Sequence, residues 1–183
     1  NKMSMNPAIF AKEENIGIAY GMGLTAEKVA QQWKISREQQ DAFALASNQK
    51  ACAAIAAGHF NAETTPYAIR ESLPDLKTGQ IRLRERTAEV DEGPRADASL
   101  ESLGKLKPVF HARGTVTAGN SSQMSDGAGA VLLASAQALK DYGLTPLARF
   151  VGFSVAGVAP DVMGIGPIAA IPKVLAQAGL GKD

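Results

Sequence analysis

One thiol and two imidazoles, Cys52, His59 and His111, are the first side chains a nucleophilic or metal-assisted mechanism would call on. A working thiolate needs a helix N-terminus or a nearby cation to stabilise its charge. Cys52 instead lies within Lys50-Ala51-Cys52-Ala53-Ala54, a helical stretch in which a free cysteine serves as a small buried hydrophobe. No HxxxH or CxxC spacing occurs, so nothing suggests a metal cluster. No carboxylate, histidine and nucleophile stand together as a catalytic set would require, and both histidines read as loop or surface residues. A single cysteine excludes an internal disulfide and fits a reducing compartment, so a cytoplasmic location is expected.

Charge and composition exclude other chemistries. With 19 basic and 18 acidic residues the net charge is +1, and no basic block offers a track for nucleic acid. Aromatic residues make up only 5%, too few for a base-stacking surface. No apolar run approaches the ~18 residues of a membrane helix. Arg82, Arg84 and Arg86 alternate along one face of an expected strand, which reads as a solvated edge with at most a weak pull on anions.

These groups must be held by elements whose periodicity is legible. Ala26, Val29, Ala30 and Trp33 recur as one apolar helical face. A second helix is expected from Ser36, with Ser36 and Gln39 as a capping box and Gly58 as its stop. Its eight alanines between Ala42 and Ala57 suggest close packing on a neighbour. Short strands are expected at 65–69 and 80–83, separated by Pro74 and Gly79. A short helix follows near 99–103, with Leu100, Leu103 and Leu106 turned inward. The small-apolar run 128–134 and the segment 150–158 read as strands buried on both faces. A helix capped by Ser135 and stopped by Gly143 separates them. The last helix covers about 168–177, with Pro172 near its first turn, and ends at Gly179. Asn120 and Asp126 are expected to organise turns through local backbone hydrogen bonds.

The whole reads as layered α/β structure, helical with small strands over 1–122 and alternating strand and helix over 123–183. Asn1-Lys2-Met3-Ser4 lacks both an initiator methionine and signal architecture, and the pattern stops where another strand is expected. A chain cut from the middle of a longer one fits both observations.

Three ordered segments carry a resemblance. Met22-Gly23-Leu24-Thr25-Ala26-Glu27-Lys28-Val29-Ala30, followed by Ile35-Ser36-Arg37-Glu38-Gln39-Gln40-Asp41-Ala42-Phe43-Ala44, resembles the helical start of the thiolase loop domain. Thr115-Val116-Thr117-Ala118-Gly119-Asn120-Ser121-Ser122-Gln123-Met124-Ser125-Asp126-Gly127-Ala128 is similar to that family's return strand into its first core domain. Val162-Met163-Gly164-Ile165-Gly166-Pro167 resembles the entry to the second. The resemblance covers essentially all 183 residues.

It implies an α/β/α/β/α layered fold with an inserted loop domain that cradles coenzyme A. By it, residues 1–122 form the loop domain, 123–144 the end of the N-terminal core domain and 145–183 the start of the C-terminal one. The implied enzyme is an acyltransferase cleaving 3-ketoacyl-CoA with CoA in fatty-acid β-oxidation, by ping-pong transfer through a cysteine thiolate. CoA is its co-substrate, with no permanently bound cofactor. A homodimer or homotetramer is implied, with a β-oxidation hydratase/dehydrogenase as a candidate partner.

The family's catalytic cysteines and its N-E-A-F and G-H-P motifs match nothing here, so no catalytic residue is assigned and the isolated chain is expected to be inactive. Carry-over does assign binding positions. Ser122 matches a serine on the pantetheine arm, and Arg95 and Ser102 match positions beside the nucleotide end. Met22, Phe110 and Met163 match residues lining the acyl and pantetheine tunnel. Gly21 stands where relatives often have histidine. Two other readings remain: a biosynthetic acetoacetyl-CoA thiolase, and a non-catalytic CoA-binding or structural α/β module.

Overall fold

The computed structural model describes residues 6–181. The terminus read for signal architecture, 1–4, lies outside them. Among the described residues two compact units can be told apart, one built from 6–36, 108–116 and 122–181, the other from 37–107 and 117–121.

In the first unit, two 3-10 turns, Pro7–Ala11 and Glu13–Ala19, lead into helix α1, Met22–Gln32. Glu13–Ala19 packs on a third 3-10 turn, Pro160–Ile165, and α1 packs on that same turn. Gly17 is buried there, and a side chain on it would collide with the backbone of Asp161. Helix α1 buries Gly23, Thr25 and Ala30, whereas Ala26 and Trp33 of the expected apolar stripe are exposed. The reason is close approach: the Phe110 ring lies against Gly23, in space that a Cβ would fill.

Helix α2, Arg37–Ala56, opens the second unit directly after Ser36 and stops where expected. Gly58 takes φ +74°, and two bonds close the helix end: His59 N–H to Ala54 O (3.1 Å) and Gly58 N–H to Ile55 O (2.9 Å). Along α2 only Asp41 is buried. Arg37, Leu45, Asn48, Cys52 and Ile55 are half-buried on one stripe with it. Of the eight alanines only Ala44, Ala51 and Ala54 share that burial. Alanine here raises helix propensity rather than marking a tight helix contact.

Strands β1, Tyr67–Pro74, and β2, Ile81–Ala88, form an antiparallel hairpin pairing Tyr67 with Ala88 and Pro74 with Ile81. Gly79, at φ +68°, supplies the left-handed residue of the turn. Arg82, Arg84 and Arg86 do share a face, and Arg86 is ion-paired to Glu71 (3.1 Å) and Glu92 (3.3 Å). Hydrogen bonding to Glu71 is the main cause raising the Arg86 pKa.

Asp75 organises the turn, accepting N–H bonds from Lys77 (2.9 Å) and Thr78 (3.3 Å). These bonds, Lys77's first, hold its carboxyl pKa below the usual 3.8. A depressed folded-state value means the turn contributes stability above the unfolded pKa and loses it as pH falls through the folded one. A carboxyl NMR titration of Asp75 is therefore expected to show a midpoint below 3.8. A midpoint at or above that value would contradict it.

Helix α3, Leu100–Gly104, belongs to the second unit and buries Leu103, while Leu100 and Leu106 are exposed. In the first unit Ser135 caps α4, Ala136–Asp141, by accepting from Ala138 N–H (3.1 Å), and Gly143 follows at φ +62°. Helix α5, Gly166–Ala178, ends at Gly179, φ +68°. It begins earlier than expected, so Pro167 occupies the first turn and Pro172 is interior, where it removes one backbone donor.

The clearest departure concerns 128–134 and 150–158. Neither is a strand, and Val131, Leu132, Leu133, Phe150 and Phe153 are exposed. A strand exists only through a neighbour that completes its ladder. Among the described residues the hairpin is the one paired sheet.

Candidate functional site

Two polar clamps hold the segments on which the expected binding residues stand. In the first unit the Glu27 carboxylate on α1 faces the 114–116 segment. It accepts Thr115 N–H at 2.9 Å and Val116 N–H at 2.9 Å, with the Thr115 hydroxyl at 3.3 Å. Gly114 lies against Glu27 so closely that a Cβ would overlap the carboxylate. In the same unit the Phe110 ring lies against Gly23.

In the second unit Asp41 is 4% exposed. It accepts from Arg37 Nε (2.8 Å) and from Asn120 Nδ2 (2.9 Å). Arg37 also donates to the carbonyls of Leu103 (2.7 Å) and Leu106 (3.0 Å), tying the start of α2 to α3. Asn120 Oδ1 accepts Thr117 N–H (2.7 Å), and the Ser121 hydroxyl donates to Thr117 O (2.7 Å). Thr117 is fully buried. The turn 117–121 is thus closed from inside by side chains. This bears out the turn-organising reading of Asn120; Asp126 is exposed and makes no such bond among the described residues.

The expected binding residues divide between the units. Met22, Phe110, Met163 and Ser122 belong to the first, Arg95 and Ser102 to the second. Phe110 lies against Gly23, the residue after Met22 in α1, and Met163 lies on the 3-10 turn that packs along α1, with Gly164 near Val29. All three side chains are exposed, at 66% for Met22, 44% for Phe110 and 47% for Met163, so here they are surface rather than core. The Ser122 hydroxyl is exposed and has no hydrogen-bond partner among the described residues, in contrast to Ser121.

Arg95 is held by its backbone, whose N–H donates to Asn48 Oδ1 (2.9 Å), and its guanidinium is in no ion pair among the described residues. The Ser102 hydroxyl donates to Ser99 O (2.9 Å) and accepts Ser99 N–H (3.0 Å), forming a reciprocal cap on α3.

Nothing in this arrangement poises a nucleophile. Cys52 is half-buried near the C-terminal end of α2, away from the amides a helix start would offer. No group of three or more His, Cys, Asp or Glu able to hold a metal occurs among the described residues. No helix among them is long and apolar enough to cross a membrane. The sequence reading missed Glu27, Arg37, Asp41 and Thr117. Only the four-residue spacing of Arg37 and Asp41 along α2 was a signal for any of them.

Residues 10–137 match the family described as Thiolase, N-terminal domain. The chain is 48% identical over 182 residues to 3-ketoacyl-CoA thiolase 2, peroxisomal, of Arabidopsis thaliana, covering 98% of this chain and 38% of the relative. It is also 48% identical over 160 residues to an acetyl-CoA acetyltransferase of Pseudomonas aeruginosa, covering 87% and 38%. The crystal structure of human mitochondrial 3-ketoacyl-CoA thiolase in complex with CoA matches with TM-score 0.75 and 46% identity, over 90% of this chain and 38% of that one. The dimeric peroxisomal thiolase of Saccharomyces cerevisiae matches with TM-score 0.80 and 40% identity, over 97% and 42%. These likenesses establish the layered α/β class expected from the sequence. The chain thus spans about two-fifths of the length of these relatives. The expected cytoplasmic location is corrected: relatives at 48% identity are named peroxisomal or mitochondrial. One reducing-compartment cysteine does not distinguish those organelles from the cytosol.

Proposed function

Because the chain belongs to the thiolase family, we propose that the full-length protein is an acetyl-CoA C-acyltransferase that cleaves 3-ketoacyl-CoA with CoA. The observation that carries this reading is 48% identity across 98% of the chain to a 3-ketoacyl-CoA thiolase. In this proposal residues 1–122 are the loop domain, 123–144 close the N-terminal core domain and 145–183 open the C-terminal one. The chain supplies binding surface and no covalent chemistry. CoA enters as co-substrate, and no permanently bound cofactor takes part. The reaction runs in the degradative direction of β-oxidation. The assembly is a homodimer or homotetramer, in line with the dimeric yeast relative, and a hydratase/dehydrogenase supplies the 3-ketoacyl substrate.

The residues present suit these tasks. The free Ser122 hydroxyl can donate to and accept from a pantetheine amide. The Arg95 guanidinium suits phosphate or adenine at the nucleotide end, with Ser102 beside it. Met22, Met163 and Phe110 offer an adaptable apolar lining for acyl chains of varied shape.

One hydrogen bond is worth about 1 kcal/mol, which is roughly fivefold in affinity. Ser122→Ala is therefore expected to raise KM for CoA about fivefold while leaving kcat nearly unchanged. An unchanged KM would remove Ser122 from the site.

The acetyltransferase relative keeps the biosynthetic alternative in view, since it matches at the same identity. Steady-state kinetics of the full-length protein decide between them. Better turnover of longer 3-ketoacyl-CoAs than of acetoacetyl-CoA is expected, and the reverse order would favour the biosynthetic enzyme. The isolated 183-residue chain is expected to show no thiolysis. CoA-dependent cleavage by it, abolished in Cys52→Ala, would instead make Cys52 the nucleophile.

A further inference from the structure

A concavity lies in the first unit, where α1 faces the 111–115 segment. This groove of 630 Å³ is lined by Leu24, Lys28, Gln31 and Ile35 on one side and by His111 and Arg113 on the other. That volume is within the range of about 300–1,000 Å³ typical of small-molecule sites. At about 100° per residue, Leu24, Lys28 and Gln31 lie roughly opposite Met22 on α1. The groove is therefore on the other face of the helix from the proposed acyl lining.

Its charges are unbalanced. Neither Lys28 nor Arg113 is ion-paired among the described residues. The one carboxylate at the groove, Glu27, accepts the N–H groups of Thr115 and Val116 and is ion-paired with neither cation among the described residues, so one positive charge stays in excess. His111 Nδ1 accepts Arg113 N–H (3.3 Å), which leaves Nε2 as the donor of the neutral ring. Lys28, Arg113 and His111 thus share the groove lining with the apolar Leu24, Ala30 and Ile35.

We propose that this groove binds a small amphiphilic anion, an aliphatic chain ending in a carboxylate. The guanidinium of Arg113 matches a carboxylate in two-point geometry, Lys28 adds a point charge, and the chain lies on the leucine and isoleucine side chains.

The test is octanoate titrated into the full-length protein with saturating CoA present, followed by the methyl NMR signals of Leu24 and Ile35. Saturable shifts at both residues are expected. The Lys28→Ala/Arg113→Ala double variant should weaken octanoate at least tenfold while keeping the wild-type melting temperature, since both side chains are exposed. 1-Octanol, the same chain without the charge, should also bind at least tenfold more weakly. Unmoved methyls, equal affinity for octanol, or an unaffected double variant would overturn the proposal. Inorganic phosphate shifting the same signals with octanoate's affinity would also overturn it, by showing a simple anion site.

Discussion

Asp41→Ala is expected to lower the unfolding free energy of the full-length protein by about 3–5 kcal/mol, the range for breaking a buried ion pair from one side. The carboxylate is 4% exposed, and the Arg37 side chain it neutralises is 20% exposed. Removing it leaves that guanidinium without its partner and frees the Asn120 amide from a 2.9 Å bond. Neither loss is readily repaired by water, because Asp41 sits between α2 and the 117–121 turn. Arg37 keeps its carbonyl acceptors at Leu103 and Leu106, which bounds the damage.

Denaturant unfolding of the wild type, Asp41→Ala, Asn120→Ala and the double variant forms the cycle that isolates the pair. A coupling of about 1 kcal/mol or more is expected for groups sharing one network. Additivity within about 0.3 kcal/mol would mean that the bond is incidental.

Glu27→Ala is expected to cost about 3 kcal/mol, because two backbone N–H groups, of Thr115 and Val116, lose a charged acceptor together. Val116 is 4% exposed, so its amide has poor access to replacement water. Glu27→Gln separates charge from shape. One amide oxygen can still accept, but the NH2 group meets a donor and cannot bond it, so a smaller loss is expected. Hydrogen exchange gives a second readout: the Thr115 and Val116 amides should lose protection in both variants. Protection equal to wild type in Glu27→Ala would show that the segment is held by other contacts.

Much of the local structure was legible from residue order because its causes are local. The stops at Gly58, Gly143 and Gly179 each need a left-handed residue, and the Ser135 cap reaches only to Ala138. The two strands were legible as short pieces at 65–69 and 80–83 broken at Gly79, but they run over 67–74 and 81–88, and Pro74 pairs with Ile81 inside the ladder rather than separating the strands. The runs at 128–134 and 150–158 failed as strands because pairing depends on a distant neighbour. The α1 face was misjudged because hydrophobicity was counted while Phe110, 87 positions past Gly23, chose the smallest residue.

The binding positions were found by likeness of wording, and their geometry was not. Glu27 and Asp41 look like ordinary solvated carboxylates in a charged helical sequence. Their partners stand 88 and 79 residues away, beyond the reach of any periodicity. Arg95 and Ser102 differ in this respect. The Asn48 anchor under Arg95 stands 47 residues away, whereas the commitment of the Ser102 hydroxyl to a cap depends on Ser99, only three positions before it.

The exposed run 128–134 has a consequence for how this chain behaves at high concentration. Ala128-Gly129-Ala130-Val131-Leu132-Leu133-Ala134 carries no charge and no proline, and its three large side chains are more than 80% exposed. Such a segment is a template for stacking with copies of itself into cross-β fibrils. Asp126 stands two positions before the run, while on the other side the nearest charge, Lys140, is six positions past Ala134, so only one end is guarded. Left on its own in solution, the chain is poised to aggregate through this segment, and a lysine placed at Leu132 would be the most direct way to keep it dispersed.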